Sequence, residues 1–155
     1  MSKTVIPYQV EIQPGPTSKK ICWLECPFCY GKSANDTGQR LSKERYIELI
    51  QEIAKGGVKK VIFAGWATDP LFYKNIDDLV ETALKSGLII GFNTRALKVS
   101  ERLISLLTSG LAPNDSYISV SVDSYDNSSY AQVHGVSGQS HLYDRVSENI
   151  RRIKT

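Results

Sequence analysis

The chain has 155 residues with a net charge of +3, from 19 basic and 16 acidic side chains, and is 41% hydrophobic and 23% charged. That balance excludes a chain-wide disordered segment and fits one globular domain over residues 1–155. The basic residues are scattered rather than gathered on a stripe, which argues against a nucleic-acid partner. No run approaches the roughly 20 apolar residues that span a bilayer, and the N-terminus lacks a secretory pattern, so no membrane partner and a cytoplasmic location are expected.

In chain order, Tyr8–Ile12 alternates apolar and polar and stops at Gln13-Pro14-Gly15-Pro16, as a strand does. About 25 residues without a clear period follow; a stretch of that length in a compact domain usually carries function. Ser42 is placed to cap a helix to about Lys55, with Tyr46, Leu49, Ile50 and Ile53 on one face and Gly56-Gly57 at its end. Val61-Ile62-Phe63 reads as a buried strand. Asn75 is placed to cap the next helix, Asp77 and Asp78 suit its N-terminal dipole, and Gly87 ends it. Leu88–Phe92 is a third strand. Ser100 caps a helix striped with Leu103, Ile104, Leu106 and Leu107 and closed by Gly110. Tyr117–Val122 is a fourth strand, and Leu142, Val146, Ile150 and Ile153 repeat at helical spacing from about His141.

Strands alternating with helices predict an α/β fold with a parallel sheet and right-handed crossovers. About four βα units fit in this length, whereas a closed eight-unit barrel takes about 250 residues. The expectation is therefore a partial TIM-like barrel, incomplete toward the C-terminus.

All three cysteines lie in one segment, Cys22-Trp-Leu-Glu-Cys26-Pro-Phe-Cys29, with spacing C-x3-C-x2-C. Cysteines so close together cannot staple a fold usefully and point to metal or redox chemistry. Thiolates on short spacers can converge on an iron–sulfur cluster, and three ligands for four irons leave one iron open to a cosubstrate. A structural zinc site is the competing reading; it needs a fourth ligand, from His134 or His141, and neither has paired ligand spacing.

This cysteine segment, with aromatic Phe28 before the third cysteine and a strand before the loop, resembles the signature of the radical S-adenosylmethionine (SAM) superfamily. The resemblance implies a [4Fe–4S] cluster on Cys22, Cys26 and Cys29, and SAM chelated to the open iron. It also implies reductive cleavage to a 5′-deoxyadenosyl radical that takes a hydrogen atom from the substrate. It implies as partners a reductant such as a flavodoxin or ferredoxin and a substrate, small molecule or peptide. Further matches run along the chain. Gly65 and Asp69-Pro70-Leu71 are similar to the family's Gly-Gly-Glu-Pro-Leu turn at the SAM amino group, with Asp69 as the acid; a plain turn is the alternative. Asn93, followed by Thr94 and Arg95, is similar to a polar element near SAM or substrate. Ser121 takes the place of a serine that approaches SAM, with Asp123 ordering the turn. His134 stands where an arginine often meets the SAM carboxylate, or is a loop histidine without such a role. Phe28, Gly65, Asp69, Asn93, Ser121 and His134 are thus the expected cofactor contacts, and no residue is assigned to act on the substrate itself. Trp23 and Trp66 either shield the radical from water or simply pack.

The segment from Tyr130 to Gly135 resembles the maturase, epimerase and dehydratase-like branches. Two alternatives stand beside that reading: a small activase that installs a glycyl radical on a partner protein, and a non-enzymatic binding module stabilised by zinc or a cluster.

Overall fold

A computed structural model describes residues 5–15, 22–29, 31, 41–65, 68–136, 138 and 141–154. Among these, strands β1 (Gln9–Ile12), β2 (Lys60–Phe63), β3 (Ile89–Thr94) and β4 (Tyr117–Val120) form one sheet in the order β1-β2-β3-β4. Every neighbouring pair is parallel, in registers that set Ile12 against Phe63, Phe63 against Phe92 and Thr94 against Val120. Parallel order in sequence order is the βα-repeat arrangement expected from the alternating pattern.

The crossover helices are α1 (Lys43–Lys55), α2 (Ile76–Lys85) and α3 (Glu101–Thr108). Local chemistry sets their ends. Ser42 Oγ accepts from Arg45 N at 3.2 Å, and Ser100 Oγ accepts from Leu103 N at 2.9 Å, each satisfying an amide that the helix leaves unpaired. Gly57 leaves α1 at φ +93°, a left-handed turn that glycine takes without a Cβ penalty. Asn75 does stand at the N-cap of α2, but its side chain makes no capping bond. The chain enters from a 3-10 turn over Pro70–Phe72, so Asn75 lies at φ −109°, ψ 22° rather than in the extended geometry a cap needs.

The three helices cover one face of the sheet. Ile50, Val61, Phe63, Leu79, Val80, Ile90 and Phe92 are buried in this first core. Fully burying one such side chain contributes about 1.5–3 kcal/mol, so this layer holds the strands in register. The opposite face carries Gln9, Glu11, Asn93, Tyr117 and Ser119, all exposed.

A second core lies past the C-terminal ends of the strands. Leu24, Cys26, Leu97, Tyr130, Val136, Leu142 and Val146 form it, so the cysteine loop is packed against the last two helices. These are α4 (Asn127–Val133) and α5 (Leu142–Lys154). Residues 127–135, to which the periodicity assigns no element, contain α4, capped by Asp126, whose carboxylate accepts from Ser129 N at 2.7 Å in a reciprocal capping box. Poor helix formers, Asn127-Ser128-Ser129, hide the helix, and the Asp126-x-x-Ser129 spacing was its available signal. β4 is shorter than the expected Tyr117–Val122: Ser121 N makes a last bond to Thr94 O at 3.0 Å, and Asp123 then turns the chain at φ +55°.

Candidate active site

Parallel strands put all their C-terminal ends at one rim. A cavity of about 320 Å³ opens there. Glu11 from β1, Ala64 and Gly65 beyond β2, Asn93, Thr94 and Arg95 at the end of β3, and Ser121 beyond β4 all line it. The cysteine loop closes one side with Cys22, Cys26, Phe28 and Cys29, and Thr68 and Asp69 complete the wall. Eight of the nine expected site residues are therefore on one cavity; His134 is outside its lining.

None of the three cysteines is in a disulfide; Cys26 is buried and the other two are half-buried. Cys29 N donates to Cys26 O at 3.1 Å, a turn with Pro27 and Phe28 at its centre. Leu24 N donates to Cys22 Sγ at 3.4 Å. Burial raises the Cys22 thiol above its ordinary pKa, and that amide bond pulls the other way. Phe28 is 57% exposed, its ring standing 6.2 Å from the His134 ring. Among the described residues no group of three His, Cys, Asp or Glu side chains is arranged to hold a single ion. His141 lies on the surface, 4.0 Å from Asp144.

Asp69 is 4% exposed, and its carboxylate is heavily used. Oδ1 accepts from Leu71 N at 2.9 Å, capping the 3-10 turn, and Oδ2 accepts from Arg95 N at 2.5 Å. Thr94 Oγ1 lies 2.8 Å from both oxygens. Burial pushes this carboxyl above its ordinary pKa, while the Arg95 and Leu71 amides and the Thr94 hydroxyl pull it down. The side chain therefore ties the turn after β2 to the end of β3. Gly65 starts that turn; a Cβ there would collide with the Thr68 carbonyl, so only glycine lets the two backbone segments approach.

Arg95 spans the ends of β3 and β4: its guanidinium pairs with Asp123 and donates to Ser121 O at 3.4 Å. Ala96 follows at φ +54°, a conformation costly for a residue with a Cβ. It is held by Asn149 of α5, whose Nδ2 donates to Ala96 O at 2.8 Å, and Arg152 in turn donates to Asn149 Oδ1 at 2.7 Å. Sequence reasoning missed Asn149, because a buried Asn on a helix has no local signature.

His134, expected at the SAM carboxylate, is fully buried at the end of α4 with Nδ1 3.1 Å from Cys26 Sγ. Burial first, and the nearby Arg95 charge second, lower its pKa below the usual imidazole value. Tyr130, whose ring is 4.2 Å from that of His134, has a buried hydroxyl with no hydrogen-bond partner among the described residues. Trp23 stacks on Phe72 at 4.7 Å and is 45% exposed, and Trp66 lies outside the described residues.

Comparison with known proteins gives these elements a context. Residues 18–155 match the sequence profile described as the radical SAM superfamily. A probable GTP 3′,8-cyclase of Methanosarcina mazei is 31% identical over 119 residues, covering 74% of this chain and 34% of that protein. The dTDP-4-amino-4,6-dideoxy-D-glucose ammonia-lyase of Streptomyces venezuelae is 29% identical over 98% of this chain and 30% of its own length. An S-adenosylmethionine-dependent nucleotide dehydratase of Flammeovirga pacifica is 29% identical over 83% of the chain and 43% of its own length. The chain thus spans about a third of the first two of these relatives.

Proposed function

The chain belongs to the radical SAM superfamily, whose enzymes use a [4Fe–4S] cluster and SAM, and from that premise we propose that Cys22, Cys26 and Cys29 hold the cluster and that the rim cavity receives SAM. The observation that carries this reading is the shared cavity: the three cysteines line it together with residues from the ends of four parallel strands. The residues fit the group. Thiolates are the ligands such clusters take, all three cysteines line the one cavity, and the missing Cβ at Gly65 lets the Thr68 carbonyl close up against it in the cavity wall.

When bound, the cluster supplies one electron that cleaves SAM to methionine and a 5′-deoxyadenosyl radical, which takes a hydrogen atom from the substrate. The chain's own residues set the geometry. Asn93 and Ser121 present side-chain donors and acceptors to SAM from neighbouring strand ends. Asp69 acts at the SAM amino group, where a carboxylate makes a charge-assisted bond, while its other bonds keep Thr94 and Arg95 in place. Phe28 and Leu24 give the cavity an apolar wall, which limits water near a reactive intermediate. An electron-donor protein of the flavodoxin or ferredoxin type delivers the electron.

We assign the reaction to the dehydratase-like branch, with a nucleotide or nucleotide-linked sugar as substrate. The relatives named above act, by their names, on GTP, a dTDP-aminosugar and a nucleotide. The exposed sheet face beside the cavity, with Glu11, Asn93 and Ser119, suits a polar substrate better than an apolar one. The test is anaerobic reconstitution with iron and sulfide followed by low-temperature EPR. A [4Fe–4S]⁺ signal that changes on adding SAM supports the reading; a protein that takes up only zinc overturns it. Incubation with nucleoside triphosphates and dTDP-sugars, read by substrate-dependent 5′-deoxyadenosine formation, tests the substrate class, and formation with peptides alone overturns it.

A further inference from the structure

The last turn of α4 does more than complete the second core. We propose that His134 is a positioning residue for the cluster: it seats the cysteine loop and donates a hydrogen bond from Nδ1 to the Cys26 sulfur, raising the reduction potential. This rests on Cys26 being a cluster ligand, as proposed above.

Several independent contacts fix the arrangement. The imidazole is fully buried, with Nδ1 3.1 Å from Cys26 Sγ, and the two residues are 108 positions apart in sequence. Tyr130 flanks one side of the ring at 4.2 Å. The main chain of the same residue holds the loop directly, since Glu25 N donates to His134 O at 2.9 Å. The next residue is Gly135 at φ +65°, and a Cβ there would come within 2.7 Å of the Glu25 carbonyl oxygen. His134 and Gly135 therefore make a seat into which Glu25 and Cys26 fit, one by backbone and one by side chain.

The chemistry sets the direction of the bond. An iron-bound cysteinate carries no hydrogen, so the imidazole is the donor: Nδ1 bears the hydrogen, and Nε2, without one in that tautomer, makes no hydrogen bond to the Val122 carbonyl oxygen 3.5 Å away. A donor on a ligating sulfur draws off negative charge and favours the more reduced, more negative cluster; such bonds are a recognised lever on cluster potentials. Burial keeps water from competing for either partner and strengthens the bond.

The first test uses the wild-type protein labelled with ¹⁵N-histidine, reconstituted anaerobically and reduced without SAM. Pulsed EPR is expected to show a ¹⁵N coupling to the reduced cluster that His134→Asn in labelled protein removes. The second is a potentiometric titration. His134→Phe keeps a ring beside Tyr130 but has no donor, and its reduced fraction at fixed potential is expected to fall about tenfold, a shift of about 59 mV for one electron. His134→Asn sets an amide N–H where Nδ1 stood and is expected to recover most of that shift. Absence of the ¹⁵N coupling overturns the inference, as does a fully loaded Phe variant with the wild-type potential. If the Phe variant fails to assemble a cluster, the isotope experiment on the wild type decides. Should Cys26→Ala still assemble the whole cluster, the ligand assignment itself falls; a wild-type cluster that forms and responds to SAM without histidine coupling overturns this inference alone.

Discussion

The two cores are built on different terms. The one beneath the helices is aliphatic and aromatic, and its buried residues Ile50, Val61, Phe63, Leu79 and Ile90 place no polar side-chain atom in the interior. The one beneath the cysteine loop mixes Leu24, Val136 and Val146 with Cys26, Tyr130 and its neighbour His134. In the first, the energy is non-directional, and packing density decides. In the second, directional contacts decide: the Cys26–His134 contact, the Glu25–His134 backbone bond and the Asp69 cluster of donors at the rim. One region makes the sheet, and the other spends part of its hydrophobic gain to hold polar groups where chemistry is done.

That difference can be broken experimentally. The largest effect is expected from Cys26→Ala, which should abolish a fully assembled cluster and SAM cleavage, measured by iron and sulfide content and by 5′-deoxyadenosine formation, with the first core intact by far-UV circular dichroism. Leu79→Ala should do the opposite, costing about 2–5 kcal/mol of stability in denaturant unfolding while the EPR spectrum of the loaded protein stays that of the wild type. A Leu79 variant with altered g-values would show that the cores are not separable.

Asn149→Ala joins the two regions. It leaves the Ala96 carbonyl without its buried donor, and should cost about 1–3 kcal/mol. Ala96→Gly removes the penalty of the positive φ and should recover about 1 kcal/mol of that loss; no recovery in the double variant would sink the idea that Asn149 holds a strained backbone. The smallest effect belongs to the surface. Arg102 bonds Asp78 and Glu81 across α3 and α2, and Arg102→Ala should barely move the denaturant midpoint. The Arg102 hydrogen bond, chiefly, holds Asp78 below its ordinary pKa. Its folded-state value lies below the unfolded one, so this contribution is present above the unfolded carboxylate pKa and is lost as pH falls through the folded value. A stability difference between wild type and Arg102→Ala that persists unchanged in acid would exclude this pair as its source.

Local chemistry was legible in the chain. The caps at Ser42 and Ser100, the glycine stops, the apolar stripes and the strand runs are each decided by residues within one or two helical turns, so reading them needs no knowledge of the fold. The cysteine spacing is equally local, and the parallel order follows from alternation alone. Asn75 and α4 escaped because neighbours overrode propensity: a preceding 3-10 turn denied Asn75 its capping geometry, and a capping box at Asp126 started a helix from poor formers. What only the tertiary structure decided is which polar groups meet. Asp69 reaches Thr94 and Arg95 across 25 and 26 positions, Asn149 reaches Ala96 across 53, and His134 meets Cys26 across 108. A buried polar side chain must find its partner in space, and spacing along the chain carries no record of contacts made after the strands align and the last two helices fold back over the cysteine loop.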